Sequence, residues 1–224
     1  AIELKPDYAD AYNNLGLAYN DQGNTVKAIE SYEKAIELDP DDAIAYYNLG
    51  LAYYDQGNTA KAIELWEKAI EIDPDYAKAY YNMGVAYADQ GNTAKEIESY
   101  KKAIELNPDD AKTYVNLGGS YYAQGNYTKA IQSFEKAIEL DPDLAMAYYN
   151  LGNTYRIQGN ITKAVELYEK TIEVAPNSDM AYNNLGVIYH INGDLTTALI
   201  YYKKAARLGN KPIQDWLKKN GYDW

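Results

Sequence analysis

The sequence predicts an all-α protein built as a stack of helix pairs, and three recurrences predict it. A Leu-Gly or Met-Gly pair returns at Leu15-Gly16, Leu49-Gly50, Met83-Gly84, Leu117-Gly118, Leu151-Gly152 and Leu185-Gly186, each 34 residues after the last. A second glycine keeps the same step, at Gly23, Gly57, Gly91, Gly125, Gly159 and Gly193. So does a proline, at Pro6, Pro40, Pro74, Pro108, Pro142 and Pro176. A fixed period of this length marks a helix-turn-helix unit that buries its apolar face only against its neighbours.

Ala43 to Tyr76 serves as the type unit. Tyr46, Leu49 and Tyr53 form an apolar stripe at helical spacing and predict a first helix over 43–56. Gly57-Asn58 ends it, since glycine suits the position just past a last turn. Ile63, Trp66 and Ile70 predict the second helix over 59–72, which Asp73-Pro74-Asp75 stops. Proline cannot continue a helix but suits the first turn of the next, whose N-terminus the flanking acids favour. Gly50 and Ala62 are read as small because the two helices of a unit approach closely there.

The bulk numbers exclude several classes. Of 224 residues, 47% are hydrophobic, as in an ordinary folded protein, yet no run approaches the ~18 apolar residues of a membrane span. The formal net charge of −12 argues against nucleic acid and anionic membranes, and steers basic or neutral partners by long-range attraction. There is no cysteine, hence no disulfide frame, and the redox compartment stays open.

The pattern of Tyr46, Leu49, Gly50, Tyr53, Ala62, Trp66, Ala69 and Pro74 closely resembles the tetratricopeptide repeat (TPR) family. The resemblance implies a right-handed superhelical solenoid of antiparallel helix pairs. Six units fall at 9–42, 43–76, 77–110, 111–144, 145–178 and 179–210. Residues 1–8 resemble the end of a truncated preceding repeat, which would leave the first unit uncapped and open to homo-association. Residues 211–224, with Pro212, Ile213, Trp216 and Leu217, resemble the C-terminal capping helix of such arrays.

Departures from the repeat carry information of their own. Glu96 stands where other units have alanine, and its stem is expected to pack while its carboxylate escapes to water. Gly119 adds a second mid-helix glycine and would widen a groove locally.

The asparagine before each Leu/Met-Gly pair recurs in every unit: Asn14, Asn48, Asn82, Asn116, Asn150 and Asn184. In the TPR fold that direction is the concave groove of the first helices. An amide offers both donor and acceptor, so a ladder of them could grip an extended peptide backbone. The TPR arm of O-linked N-acetylglucosamine transferase is similar and holds substrate peptides in this way. Two flanking rows vary and complete the candidate groove: Tyr47, Tyr81 and Tyr149 in one, Tyr54, Tyr122 and Arg156 in the other. Tyrosine offers large area and a polar tip at low entropic cost. Asp21, Asp55 and Asp89 add negative charge towards the N-terminal half. The carboxylate clamp of some TPR modules lacks its lysine and ladder arginine here, which disfavours that reading.

No enzymatic activity, cofactor or metal is predicted. His190 is the sole histidine and has no nucleophile at a telling spacing. Asn126-Tyr127-Thr128 and Asn160-Ile161-Thr162 fit the glycosylation pattern, a frequent chance match. The function predicted is a protein–protein interaction scaffold that holds a neutral to basic partner peptide in its groove. A self-assembling scaffold, or the substrate-recruiting arm of a longer enzyme such as a glycosyltransferase, are the alternatives.

Overall fold

The computed structural model describes residues 8–224. Of the segment 1–8, read as the end of an earlier repeat, residues 1–7 lie outside the described residues. The chain divides into two compact units, with the break between Pro108 and Asp109. The first holds α1 (Ala9–Asp21), α2 (Thr25–Leu38), α3 (Ala43–Asp55), α4 (Thr59–Ile72), α5 (Ala77–Asp89) and α6 (Thr93–Leu106). The second holds α7 (Ala111–Ala123), α8 (Tyr127–Leu140), α9 (Ala145–Ile157), α10 (Ile161–Val174), α11 (Asp179–Ile191), α12 (Leu195–Arg207) and α13 (Lys211–Lys219). There is no strand among the described residues. Each odd helix up to α11 packs most closely on the even helix that follows it, and each pair packs on the next within its unit.

The three-residue turn inside each pair has one chemistry. Past α3, Gly57 takes φ 81°, a left-handed conformation that only glycine adopts without strain. Its N–H donates to the Tyr54 carbonyl at 2.8 Å, and the Asn58 N–H to that of Tyr53 at 2.9 Å, which satisfies two terminal carbonyls. Asn58 then caps α4: its side-chain oxygen accepts from the Lys61 N–H. Asn24, Asn92, Asn126 and Asn160 repeat this, and Asp194 does so before α12. Both glycosylation-like matches therefore fall on helix caps, whose amides are engaged in starting α8 and α10.

Pro40, Pro74, Pro108, Pro142 and Pro176 stand in the connections between pairs and not, as expected, in first helical turns. Pro74 lies in the turn between Ile72 and Ala77. The preceding acid organises that turn, the Asp73 carboxylate accepting from the Asp75 N–H at 3.1 Å. Pro212 is the exception, since it does sit in the first turn of α13.

The Leu/Met-Gly glycine makes room for an aromatic ring of the partner helix, and not mainly for the facing alanine. A Cβ on Gly16, Gly50, Gly84, Gly118 or Gly186 would fall within 3.0 Å of Tyr32, Trp66, Tyr100, Phe134 or Tyr202. The alanines Ala28, Ala62, Ala130, Ala164 and Ala198 are completely buried beside these rings. In α6 the corresponding Glu96 is half-buried. At the C-terminal end α13 inserts the fully buried Leu217 among Ala198, Tyr202 and Ala206, with Ile213 and Trp216 against the same cluster.

Candidate functional site

In the first unit α1, α3 and α5 form one face, stitched by side chains 35 residues apart. The Asn48 amide donates to the Asn13 side-chain oxygen at 3.0 Å, and that of Asn82 to the Tyr47 hydroxyl at 2.9 Å. Asn48 is only 7% exposed, so it is not the open groove residue that the ladder reading requires. Its donor joins neighbouring helices because a buried amide must find a partner. Asn14 is exposed on the same face. Tyr54 donates to the Asp89 carboxylate and packs on Trp66, with ring centroids 5.8 Å apart. Tyr81 packs on Tyr100 at 5.9 Å.

In the second unit α7, α9 and α11 form the equivalent face. The Asn184 amide donates to the Asn153 oxygen at 3.0 Å and the Tyr149 hydroxyl at 3.4 Å. Tyr168, from α10, donates to the same Asn153 oxygen at 2.7 Å. Asn116 and Asn150 are half-buried. Tyr122, Gly119, Phe134, Asn150 and Asn153 line a hollow of about 70 Å³, and an added Cβ on Gly119 would meet nothing within 4 Å. Gly119 does leave local space, as expected from its sequence. Arg156 lies beside Tyr168, and its Nε is buried without a hydrogen-bond partner.

Four side chains absent from the predicted site dominate the surface of α9 and α11. Met146, Ile157, Met180 and Ile191 are 44–80% exposed. They sit four before and seven after Asn150 and Asn184, which puts them on the asparagine stripe of each helix. Reading that stripe through each asparagine would have found them: it runs Asp10 to Asp21 on α1, but Met180 to Ile191 on α11. Buried Asn13 and half-buried Asn153, which orient two ladder amides, carry no such signal.

Comparison with known proteins now decides the family. Models described as TPR repeat match residues 1–23, 18–57 and 50–91. Models described as tetratricopeptide repeat match 77–110, 109–177 and 149–211. The chain belongs to the tetratricopeptide repeat family. Among solved TPR structures, MamA is 32% identical with a TM-score of 0.68, over 74% of this chain and 97% of that one. YrrB is 29% identical with a TM-score of 0.69, over 81% and 93%. PilF of Pseudomonas aeruginosa shares the fold at 22% identity and a TM-score of 0.79, over 94% and 97%. No curated protein matches the sequence. The TPR fold is that of a protein–protein interaction scaffold. No helix among the described residues is long and apolar enough to cross a membrane.

The TPR array divides its charge unevenly. Residues 1–108 carry 20 acidic against 9 basic side chains, and residues 109–224 carry 13 against 12. Nearly all of the net charge of −12 thus belongs to the first unit, where Asp21, Asp55 and Asp89 end the three odd helices. The hydrogen bond to Asp89, helped by burial, pushes the Tyr54 hydroxyl up to about 12. Burial raises Tyr47, opposed by the amide of Asn82. The Nδ1 of His190 lies 3.3 Å from the Tyr202 hydroxyl, and its ring packs edge-on against Trp216.

Proposed function

We propose that the odd-helix face of each unit binds a segment of a partner protein, extended or partly helical, and neutral to basic where it meets the first unit. The observation that carries this reading is the exposed apolar stripe of Met146, Ile157, Met180 and Ile191 on α9 and α11. Large apolar side chains grouped on one surface, rimmed by polar ones, mark interaction sites. Tyr122 and Tyr149 flank the stripe as broad surfaces with polar tips. In the first unit the same face is acidic, which favours basic side chains and speeds their encounter. YrrB, similar over most of this chain, is described as a TPR protein with an unusual peptide-binding site.

Because Asn48, Asn82 and Asn184 donate within the array, side-chain burial supplies most of the affinity in this reading. The amide oxygens and Asn14 and Asn150 supply backbone contacts. The test is selection of short peptides from a random library on the whole chain, followed by calorimetry of the winners against two variants. Met180→Glu places a charge on the stripe; Ile200→Glu places one on α12, where Ile200 is 65% exposed. The reading requires about a tenfold or larger loss in the first and little change in the second. Equal losses, or a loss confined to Ile200→Glu, would refute it.

A further inference from the structure

The chain has only two arginines, Arg156 and Arg207. Arg156 occupies the last turn of α9, where the other odd helices carry Asn20, Tyr54, Ala88, Tyr122 and His190. The six ion pairs among the described residues all join a lysine to a glutamate three residues on, and none includes Arg156. Its polar neighbour is Tyr168, whose side chain it hydrogen-bonds, and no carboxylate pairs with it. Its buried Nε has no partner. The Asn153 oxygen is filled, because it already receives Tyr168 and Asn184 and an amide oxygen has two lone pairs. The Tyr168 hydroxyl beside it is neutral. No compensating carboxylate comes from α9, which has none, or from α11, where Asp179 accepts from Asn210 at 2.8 Å.

A half-buried guanidinium that no carboxylate neutralises can take an anion on its accessible edge, and its planar fork matches a carboxylate. Two features set the class of anion. Arg156 is the only lysine or arginine on α9 and α11, so one negative charge is balanced and a doubly charged phosphate is not. Ile157 follows Arg156 directly, and Met146, Met180 and Ile191 add exposed apolar surface on the same two helices. We infer that Arg156 is a specificity point for a single aspartate or glutamate side chain of the partner segment, flanked in that segment by apolar residues that rest on Met146 and Ile157. This rests on the odd-helix face being the binding face, and deepens it.

The sequence supplies its own controls for the test. There are three methionines, of which Met83 is 7% exposed while Met146 and Met180 are 48% and 44% exposed. NMR of the whole chain, with labelled methionine methyls and arginine Nε–H groups, thus resolves the site from its controls. The probes are acetyl-Leu-Glu-Leu-amide, its glutamine analogue, and acetyl-Leu-Leu-Leu with a free C-terminal carboxylate. The glutamate probe should shift Arg156 and Met146 saturably and leave Arg207 and Met83 still. The glutamine probe should bind about tenfold more weakly, the order of one charge-assisted hydrogen-bonded pair. Arg156→Gln should bring the glutamate probe down to the glutamine level, with Arg156→Lys in between because it keeps charge without the fork. Equal binding of the glutamate and glutamine probes at Met146 would overturn the role of Arg156 and leave the binding face standing. Stronger binding of the free-acid probe would overturn the side-chain source in favour of a chain terminus. Still methyls with all three probes would overturn both this inference and the binding face in the second unit.

Discussion

The indole of Trp66 lies across Gly50, so near that a Cβ there would come within 2.7 Å of its Cδ1 and closer still to its Nε1. Trp66 cannot simply swing away, because its Nε1 donates to the Tyr47 carbonyl at 3.2 Å and the ring is 1% exposed. Gly50→Ala should therefore destabilise the array by about 1–3 kcal/mol through overpacking. Gly152→Ala should cost less, since the nearest Tyr168 carbons lie 2.9–3.0 Å from the added Cβ. Urea unfolding followed by circular dichroism, fitted with coupling between neighbouring repeats, checks the order of the two.

Gly119 is the opposite case. It sits inside α7 with nothing within 4 Å of a new Cβ. Gly119→Ala should stabilise the protein by about 0.5–1 kcal/mol, the helix-interior difference between these residues. It should also narrow the hollow bounded by Tyr122, Asn150 and Asn153, weakening any groove peptide that fills it. A variant that is more stable yet binds selected peptides less well is the predicted result.

The Tyr54–Asp89 hydrogen bond makes an alkaline prediction. The phenol loses its proton at about 12 in the folded chain, against an ordinary value near 10. A raised folded value means the contribution to stability is fully present below pH ~10 and is lost as pH rises from there to about 12. Subtracting the ultraviolet titration of Tyr54→Phe from that of the parent should leave one tyrosine ionising with a midpoint of about 12. In Asp89→Asn that midpoint should fall. A midpoint near 10 in the parent would show that the bond does not persist in solution.

Asn58→Ala removes the acceptor for the Lys61 N–H and should cost about 1 kcal/mol. Asn58→Asp, which keeps an acceptor and adds charge at the helix N-terminus, should be close to neutral. Parallel urea curves for the two variants separate loss of the cap from loss of the side chain.

Leu217→Ala opens a cavity where α13 is anchored and should cost about 2–5 kcal/mol. The loss should be local. Amide hydrogen exchange should quicken in α12 and α13 while the first unit stays protected.

How far the sequence reaches differs between backbone and surface. By itself it determined the helix pairs, their near-correct bounds, the turn glycines and the last helix, because these follow from local conformation and from apolar periodicity that recurs in register. It also marked Tyr47, Tyr54, Tyr149 and Arg156 as surface variables. It did not place Pro74 outside the next helix or assign the turn asparagines to caps, since the same residues suit more than one turn chemistry. Only the tertiary structure decided that Asn48 and Asn82 turn their donors to the preceding repeat and that Trp66 fills the space above Gly50. It alone decided that Arg156 finds no carboxylate. Those outcomes depend on which side chains from different repeats come within hydrogen-bond reach, a distance set by how whole helices pack and not by any one segment's pattern.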